Sequence, residues 1–346
     1  MSVGCMGAGE PLGTGPTSVY KGETMAYKVM GINAGRHNGN GDIALKAALK
    51  VLQDKGAEVE MINLYDYNIL PCDGCEGCTM QMGMIAQDPT REYKGCVLKG
   101  KDDVDQLITE IHTCNGILIA CPTYDLTPSS LYTRFAQRFL AYELSFLLQI
   151  GVVKENPNTV AGLISVGGSM HDWQSLALES LQATMFTMSL QVVDRYMVQR
   201  SARPGSVLIF PDQVERCKQM GEHIWEAMNT PVEERGWLGD PDDGVCPVCH
   251  SSLVYPGDPH WDGIEFPWEC AVCGCGGTLE PDANGKPKLV LAENGRVRDR
   301  NNDQARAEHL NEIIKTRIEF MQKRDTVKDE YASYKAMKFP TVEVKR

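Results

Sequence analysis

Residues 27–52, YKVMGINAGRHNGNGDIALKAALKVL, constrain the architecture more than any other stretch of the chain. They read as a short buried strand over Tyr27–Ile32, a polar loop, and a helix over Ile43–Lys55. In that helix Leu45, Ala48, Leu49 and Leu52 recur at helical spacing, and Gly56 supplies the stop. The loop between them has neither GxGxxG nor a lysine-bearing P-loop. Its residues Asn33, Gly35, Arg36, Asn38, Gly39, Asn40 and Gly41 are small, amide-bearing or cationic, a composition able to wrap an anion.

The same handover recurs downstream. A second strand is expected at Glu58–Leu64, and a helix at Asp103–Cys114 with Val104, Leu107, Ile108 and Ile111 on one face. Gly116–Ala120 (GILIA) is a continuous apolar run, the mark of a strand covered on both sides. Pro122–Ser130 then forms a loop leading into a helix through Leu144. Val160–Val166 ends in Gly167-Gly168-Ser169 and precedes a helix around Ser175–Ser189, and Val192–Val198 precedes a helix at Asp212–Met228. This β-α alternation predicts an α/β fold, a doubly wound parallel sheet. Ligands of such sheets lie beyond the carboxyl ends of the strands, so the loops 33–42, 122–130 and 167–173 are the candidates.

Composition narrows the partners. The chain has 346 residues, 42% hydrophobic and 23% charged, enough for one large domain with an appendage or for two domains. No window approaches the roughly 18–20 apolar residues of a membrane span, and Met1–Thr24 lacks the blocks of a secretory signal. The cytoplasm is therefore the expected location, with no membrane partner. A net charge of -12 argues against nucleic acid.

Nine of thirteen cysteines fall into two groups, which in a chain without a secretory signal point to ligands rather than disulfides. Cys72, Cys75 and Cys78 place three thiols on a compact turn and Cys96 supplies a fourth; the set reads either as a [4Fe–4S] site or as free cysteines. Cys246, Cys249, Cys270 and Cys273 form two knuckles able to hold one ion tetrahedrally, with Cys275 spare. Zinc there would be a brace and iron a one-electron relay; His250 abuts the knuckle as a possible substitute ligand. Trp261, Phe266 and Trp268 are expected to pack over this ribbon, which has little apolar core of its own. Cys114 and Cys121 read as core, whereas Cys5 and Cys217 carry no pattern.

The expected organisation is a flexible leader (1–25), the α/β domain (26–229), a Pro/Gly and acidic linker (230–243), the four-cysteine module (244–300), and a terminal helix and tail (301–346). Pro287–Val297 reads as a hairpin turning at Asn294-Gly295. Ala305–Met337 reads as one long charged helix with Leu310, Ile314, Ile318 and Met321 along a stripe, expected to embrace a partner subunit.

GINAGRHNGNGDIALKAAL resembles the phosphate loop GSPRKNGNT and following helix of the NADPH-dependent FMN reductase and iron–sulfur flavoprotein group. NILPCDGCEGC, GCVLKGKDDVDQL and ACPTYDLTPSSLYTRFAQRF are similar, in the same order, to that group's PCIGCGYC, GC-x-x-x-DDM and SPVYWGSVSGQLKAFLDR. The resemblance covers roughly residues 26–228. It departs at Asn33-Ala34-Gly35-Arg36, one residue longer than the group's Ser-Pro-Arg, and at Gly41, where a threonine is usual. It implies a flavodoxin-like fold, five strands in the order 2-1-3-4-5, carrying FMN at a subunit edge in a homodimer or homotetramer.

In that setting the backbone N–H groups of the first loop and the helix end would hold the FMN phosphate, with Arg36 as a bidentate donor and Asn38 and Asn40 as amide donors. Pro122, Thr123, Tyr124 and Asp125 would lie along the ring, and Gly167, Gly168 and Ser169 would let backbone approach it. His171, Asp172 and Trp173 are candidates for substrate contact, although no catalytic acid or base is compelled. The leading functional reading is an FMN oxidoreductase drawing on NAD(P)H and reducing a small acceptor. The alternatives are an iron–sulfur flavoprotein passing electrons to a redox protein, O2 or a quinone, and a non-catalytic redox sensor or scaffold.

Overall fold

The computed structural model describes residues 26–241 and 243–341; the expected leader and Cys5 lie outside the described residues. Strand β1 (Lys28–Asn33) passes into helix α1 (Asn40–Asp54), followed by β2 (Glu58–Asn63), α2 (Gly77–Gln87), α3 (Val104–Ile111) and β3 (Gly116–Tyr124). A two-residue strand β4 (Thr127–Pro128) leads to α4 (Ser130–Ala136) and α5 (Leu144–Gln149). Then come β5 (Val160–Val166), α6 (Ala177–Ala183), β6 (Gln191–Val198) and α7 (Pro211–Asn229). The parallel strands lie in the order β2-β1-β3-β5-β6, which is 2-1-3-4-5 when the short β4 is left aside.

Alternation along the strands explains why the apolar runs are continuous, since both faces are covered. Met30, Ile32, Ile117, Ile119 and Leu163 face one core, shared with α3 and the segment around Tyr132–Tyr142. Val29, Leu118, Ala120, Ile164 and Val166 face the other, shared with α1 and α7. Cys114, Cys121 and Cys217 are buried in these cores.

Several local expectations change. Helix α1 starts at Asn40 rather than Ile43, so Asn40, Gly41 and Asp42 form its first turn. β3 continues past Ala120 because β5 still pairs with it there, Pro122 opposite Val166. Its end folds back in a tight turn in which Asp125 and Leu126 both take positive φ, 51° and 70°. The helix expected through Leu144 is interrupted: the chain tightens over Phe139–Tyr142 and sets the buried charges Arg138 and Glu143 inward. The helix around Ser175–Ser189 is likewise shorter, flanked by 3-10 turns at His171–Gln174 and Phe186–Met188.

Beyond α7 a second, antiparallel sheet has the order β10-β9-β8-β7, from β7 (Val254–Pro256), β8 (Trp268–Cys270), β9 (Gly276–Pro281) and β10 (Pro287–Leu291). Its hairpin turns at Asn284-Gly285, not at Asn294-Gly295. The Asp282 carboxylate accepts from the backbone N–H of Asn284 at 2.8 Å and of Lys286 at 2.9 Å, which closes the earlier turn. Of the three aromatics expected over this ribbon, Phe266 is buried and Trp268 packs on its core. Trp261 is exposed, with the Lys315 ammonium over its ring.

The expected single terminal helix is two: α8 (Asp303–Lys323) and α9 (Lys328–Ala336), separated by a 3-10 turn at Arg324–Val327. Among the described residues no helix is long and apolar enough to cross a membrane.

Candidate cofactor cleft and metal centre

A cleft of about 250 Å³ opens beyond the carboxyl ends of β1, β3 and β5, lined by Gly35, Arg36, Gly39, Asn40, Gly41, Pro122, Thr123, Tyr124, Val166, Gly168, Ser201 and Ala202. One end is the N-terminus of α1. Gly39 caps that helix without a side-chain hydrogen bond, so the N–H groups of the first turn carry its positive end into the cleft. Buried Asn33 shapes the loop from behind, donating to the Gly35 carbonyl and accepting from the Gly35 N–H, both at 3.1 Å. Arg36 reaches across to the Ala202 carbonyl at 3.2 Å, placing its charge beside the helix end.

Asn40, expected as an amide donor to a ligand, is otherwise engaged. Its Nδ2 donates to the carbonyls of Ser201 and Arg203, each at 2.7 Å, and its Oδ1 accepts from the Val207 N–H. It staples the loop that leaves β6 to the loop that leaves β1. Asn38 and Asp125 are exposed outside the lining, both with positive φ.

At the other end Thr123 Oγ1 lies 3.1 Å from Ser165 Oγ and 3.2 Å from Gln174 Oε1, and the Gln174 amide donates to the carbonyls of Ser169 and Val198. A side chain at Gly167 would meet Gln174, and one at Gly168 would meet Ala202, which is why backbone comes so close here. Tyr124 is half exposed at the mouth, its phenol pushed above the ordinary range by burial of its remaining face. His171, Asp172 and Trp173 form an exposed turn just beyond. His37 and Asp66, 2.8 Å apart, bridge the loops after β1 and β2.

Gln174 and the 199–207 loop were not among the expected site residues. The segment QRSARPGS has the composition of the three loops that were singled out and follows a strand in the same way, so its signal was present. Gln174 carried no sequence signal.

The first cysteine group lies on and around α2, a helix whose methionine-rich sequence shows little periodicity. Gln81 on α2 donates to the carbonyls of Gly77 and Gly95, both at 2.9 Å, and accepts from the Lys94 N–H. This folds the long insertion back, and Val97, next to Cys96, crowds Gly77 beside Cys75. Burial raises the Cys78 thiol above its ordinary value, with Cys96 and Cys72 close enough to add to the shift.

The second group forms a compact buried site. Cys246 and Cys273 sulfurs are 3.5 Å apart, as are those of Cys249 and Cys270. All four lie within 4.8 Å of one another. A tetrahedral thiolate site with metal–sulfur bonds of about 2.3 Å needs sulfurs about 3.8 Å apart, so the donor set fits a single ion. Hydrogen bonds from neighbouring sulfurs, Cys246 foremost, hold the Cys270 thiol below its ordinary value.

The knuckle is held by the α/β part of the chain. Gln182 on α6 donates to the Cys249 carbonyl at 2.7 Å, and Glu179 accepts from the Ser252 N–H at 3.0 Å. Buried Arg195 on β6 binds Glu179, Gln182, Asp243 and the His250 carbonyl together. His250 is not a ligand here; it stacks on Trp237 with ring centroids 4.2 Å apart.

The sequence pattern described as NADPH-dependent FMN reductase matches residues 27–203. An iron–sulfur flavoprotein of Methanosarcina thermophila is 26% identical over 168 residues, 48% of this chain and 76% of its own length. A flavone synthase of Aspergillus candidus is 23% identical over 287 residues, 78% of this chain and 83% of its own. Among solved structures, one titled flavone reductase matches with a TM-score of 0.71 at 23% identity, covering 92% of this chain and 100% of that one.

Proposed function

We propose that this chain, which belongs to the NADPH-dependent FMN reductase family and is an FMN-dependent oxidoreductase, draws electrons from NADH or NADPH and delivers them to a small planar acceptor. The observation that carries the reading is the two-ended cleft. One end has the α1 N-terminus and Arg36, suited to a phosphate monoester; the other is an open mouth edged by Tyr124. Bound FMN supplies the redox chemistry, which the side chains do not.

The protein's own part is positional. Gly35, Gly39 and Gly41 let backbone approach the phosphate, Arg36 neutralises it, and Gln174 fixes Thr123, Ser165 and Ser169 behind the ring position. Tyr124, His171 and Trp173 are left to meet the acceptor. The flavone synthase relative suggests acceptors of the flavone class. Homo-oligomerisation, as a dimer or tetramer, belongs to this reading, and zinc as a brace is the assignment for Cys246, Cys249, Cys270 and Cys273.

Anaerobic purification with flavin, iron, sulfide and zinc counts, followed by NADH and NADPH oxidation with a flavone or a quinone, tests the reading. One FMN per chain and acceptor-dependent turnover are expected. Arg36→Ala should weaken FMN binding ten- to hundredfold, the equivalent of about 1.5–3 kcal/mol for a hydrogen bond to a charged group. Tight FMN without nicotinamide oxidation would remove the donor assignment.

A second reading rests on the Gln81 staple. By returning Cys96 to the Cys72–Cys78 turn it makes a four-thiol set available for a [4Fe–4S] cluster, and the protein would then pass electrons to a redox partner. Iron and sulfide at four per chain would favour it.

A further inference from the structure

We infer that α9 and the outer half of α8 form an arm exchanged between two copies of this chain, each arm lying on the body of the other. The inference rests on the homo-oligomer reading above and gives it a surface.

The stripe of α8 begins as an ordinary interface. Leu310 is fully buried among Met82, Phe146 and Leu147, and Ile314 packs beside Gly83 of α2. The same stripe then runs off the edge of its own chain. Every residue from 318 to 341 is exposed, although Ile318 and Met321 continue the face that Leu310 and Ile314 bury.

Past the turn, Tyr331, Tyr334 and Met337 repeat at helical spacing and are 62%, 63% and 50% exposed, and Phe339 follows at 78%. A nine-residue helix with no buried side chain is not stable in water by its own backbone bonds. Four large apolar side chains, Tyr331, Tyr334, Met337 and Phe339, thus stand bare within nine residues, the kind of exposed cluster that marks an interaction site. Something covers this face, and it continues an interface that already exists.

Charge selects the occupant. Residues 313–346 carry nine Lys or Arg against five Asp or Glu, on a chain whose net charge is -12. The rest of the molecule is therefore strongly acidic, and a basic arm is drawn to the body of a second copy. Charges of both signs are interleaved along the arm, with Lys323 on Glu319 at 2.7 Å, which favours a protein surface over a uniformly anionic membrane. Exchange about a two-fold axis buries the stripe twice and closes the assembly.

The test is the solution mass of the full chain by light scattering, beside full-length Met321→Glu/Tyr334→Glu and, separately, Tyr331→Glu. These residues are exposed, so the variants should keep FMN content and the four-cysteine metal at the level of the unmodified chain. The expected result is a dimer or higher multiple for the unmodified chain and loss of that state, or at least a tenfold weaker dimer, in both variants. Variants that keep the assembly unchanged would overturn the arm while leaving the homo-oligomer reading standing. A monomeric unmodified chain would overturn both, and a monomer that sediments with anionic vesicles through this segment would give the face to a membrane instead.

Discussion

Glu143 shows how a single buried residue sets a pH dependence. It is 2% exposed, accepts from the Ser145 hydroxyl at 2.5 Å and faces Arg306 of α8 at 3.3 Å. Burial outweighs these partners and pushes its carboxyl up from 4.5 to about 7. A raised value means that the folded chain holds the proton more tightly than the unfolded one. Its stabilisation is complete below pH 4.5 and is lost as pH rises through about 7, on the order of 3 kcal/mol over that window. Urea unfolding at pH 5 and pH 8 should show the decline, and Glu143→Gln should flatten it. Asn40 teaches the complementary lesson: its residue type suited ligand binding, yet its amide is consumed by two carbonyls of a loop more than 160 positions away.

At the scale of elements, strands were legible and the segments between them less so. β5 was expected at Val160–Val166 and lies there, because a run buried on both faces has no ambiguity of register. Helix α2 was invisible to periodicity, and its role depends on Gln81, whose three hydrogen bonds hold the 94–96 segment against the Cys72–Cys78 turn. Gln81→Leu keeps the helix but removes the staple, and iron uptake on reconstitution should fall several-fold, as in Cys96→Ser. Equal uptake by Gln81→Leu and the unmodified protein would mean that the thiols gather without it. The hairpin was misplaced by ten residues because two Asn-Gly pairs compete, and the Asp282 carboxylate decides between them.

Across the whole molecule, the four-cysteine knuckle and the cleft are braced from adjoining elements. Arg195, Glu179 and Gln182 hold the Cys249–Ser252 backbone, and they belong to the strand and helix on either side of the Met185–Leu190 turn. α6 also follows directly on Gln174, which shapes the cleft. Stripping the metal with a chelator should lower the melting temperature by several degrees and weaken FMN binding; unchanged FMN affinity would show that the two sites are independent. Arg195→Met should reproduce part of the effect with the metal in place.

The strand order was implied by the family resemblance, whereas sequence alone was enough for the parallel sheet, the loop at the α1 N-terminus and the four-cysteine knuckles. Each is a local pattern: a continuous apolar run along a strand, spacing along a helix, two thiols per turn. The resemblance carried by the same motifs named the family. Tertiary structure decided what depends on distant partners: that Asn40 and Gln174 brace the cleft, that the loop after β6 completes it, and that Gln81 ties the segment before Cys96 back to α2. It also decided that the terminal stripe outruns the chain that begins to bury it. Hydrogen bonds whose spacing follows no repeat, from 14 positions for Gln81 to Gly95 up to 163 for Asn40 to Arg203, leave no period in the sequence, so only folding reveals which side chains they consume.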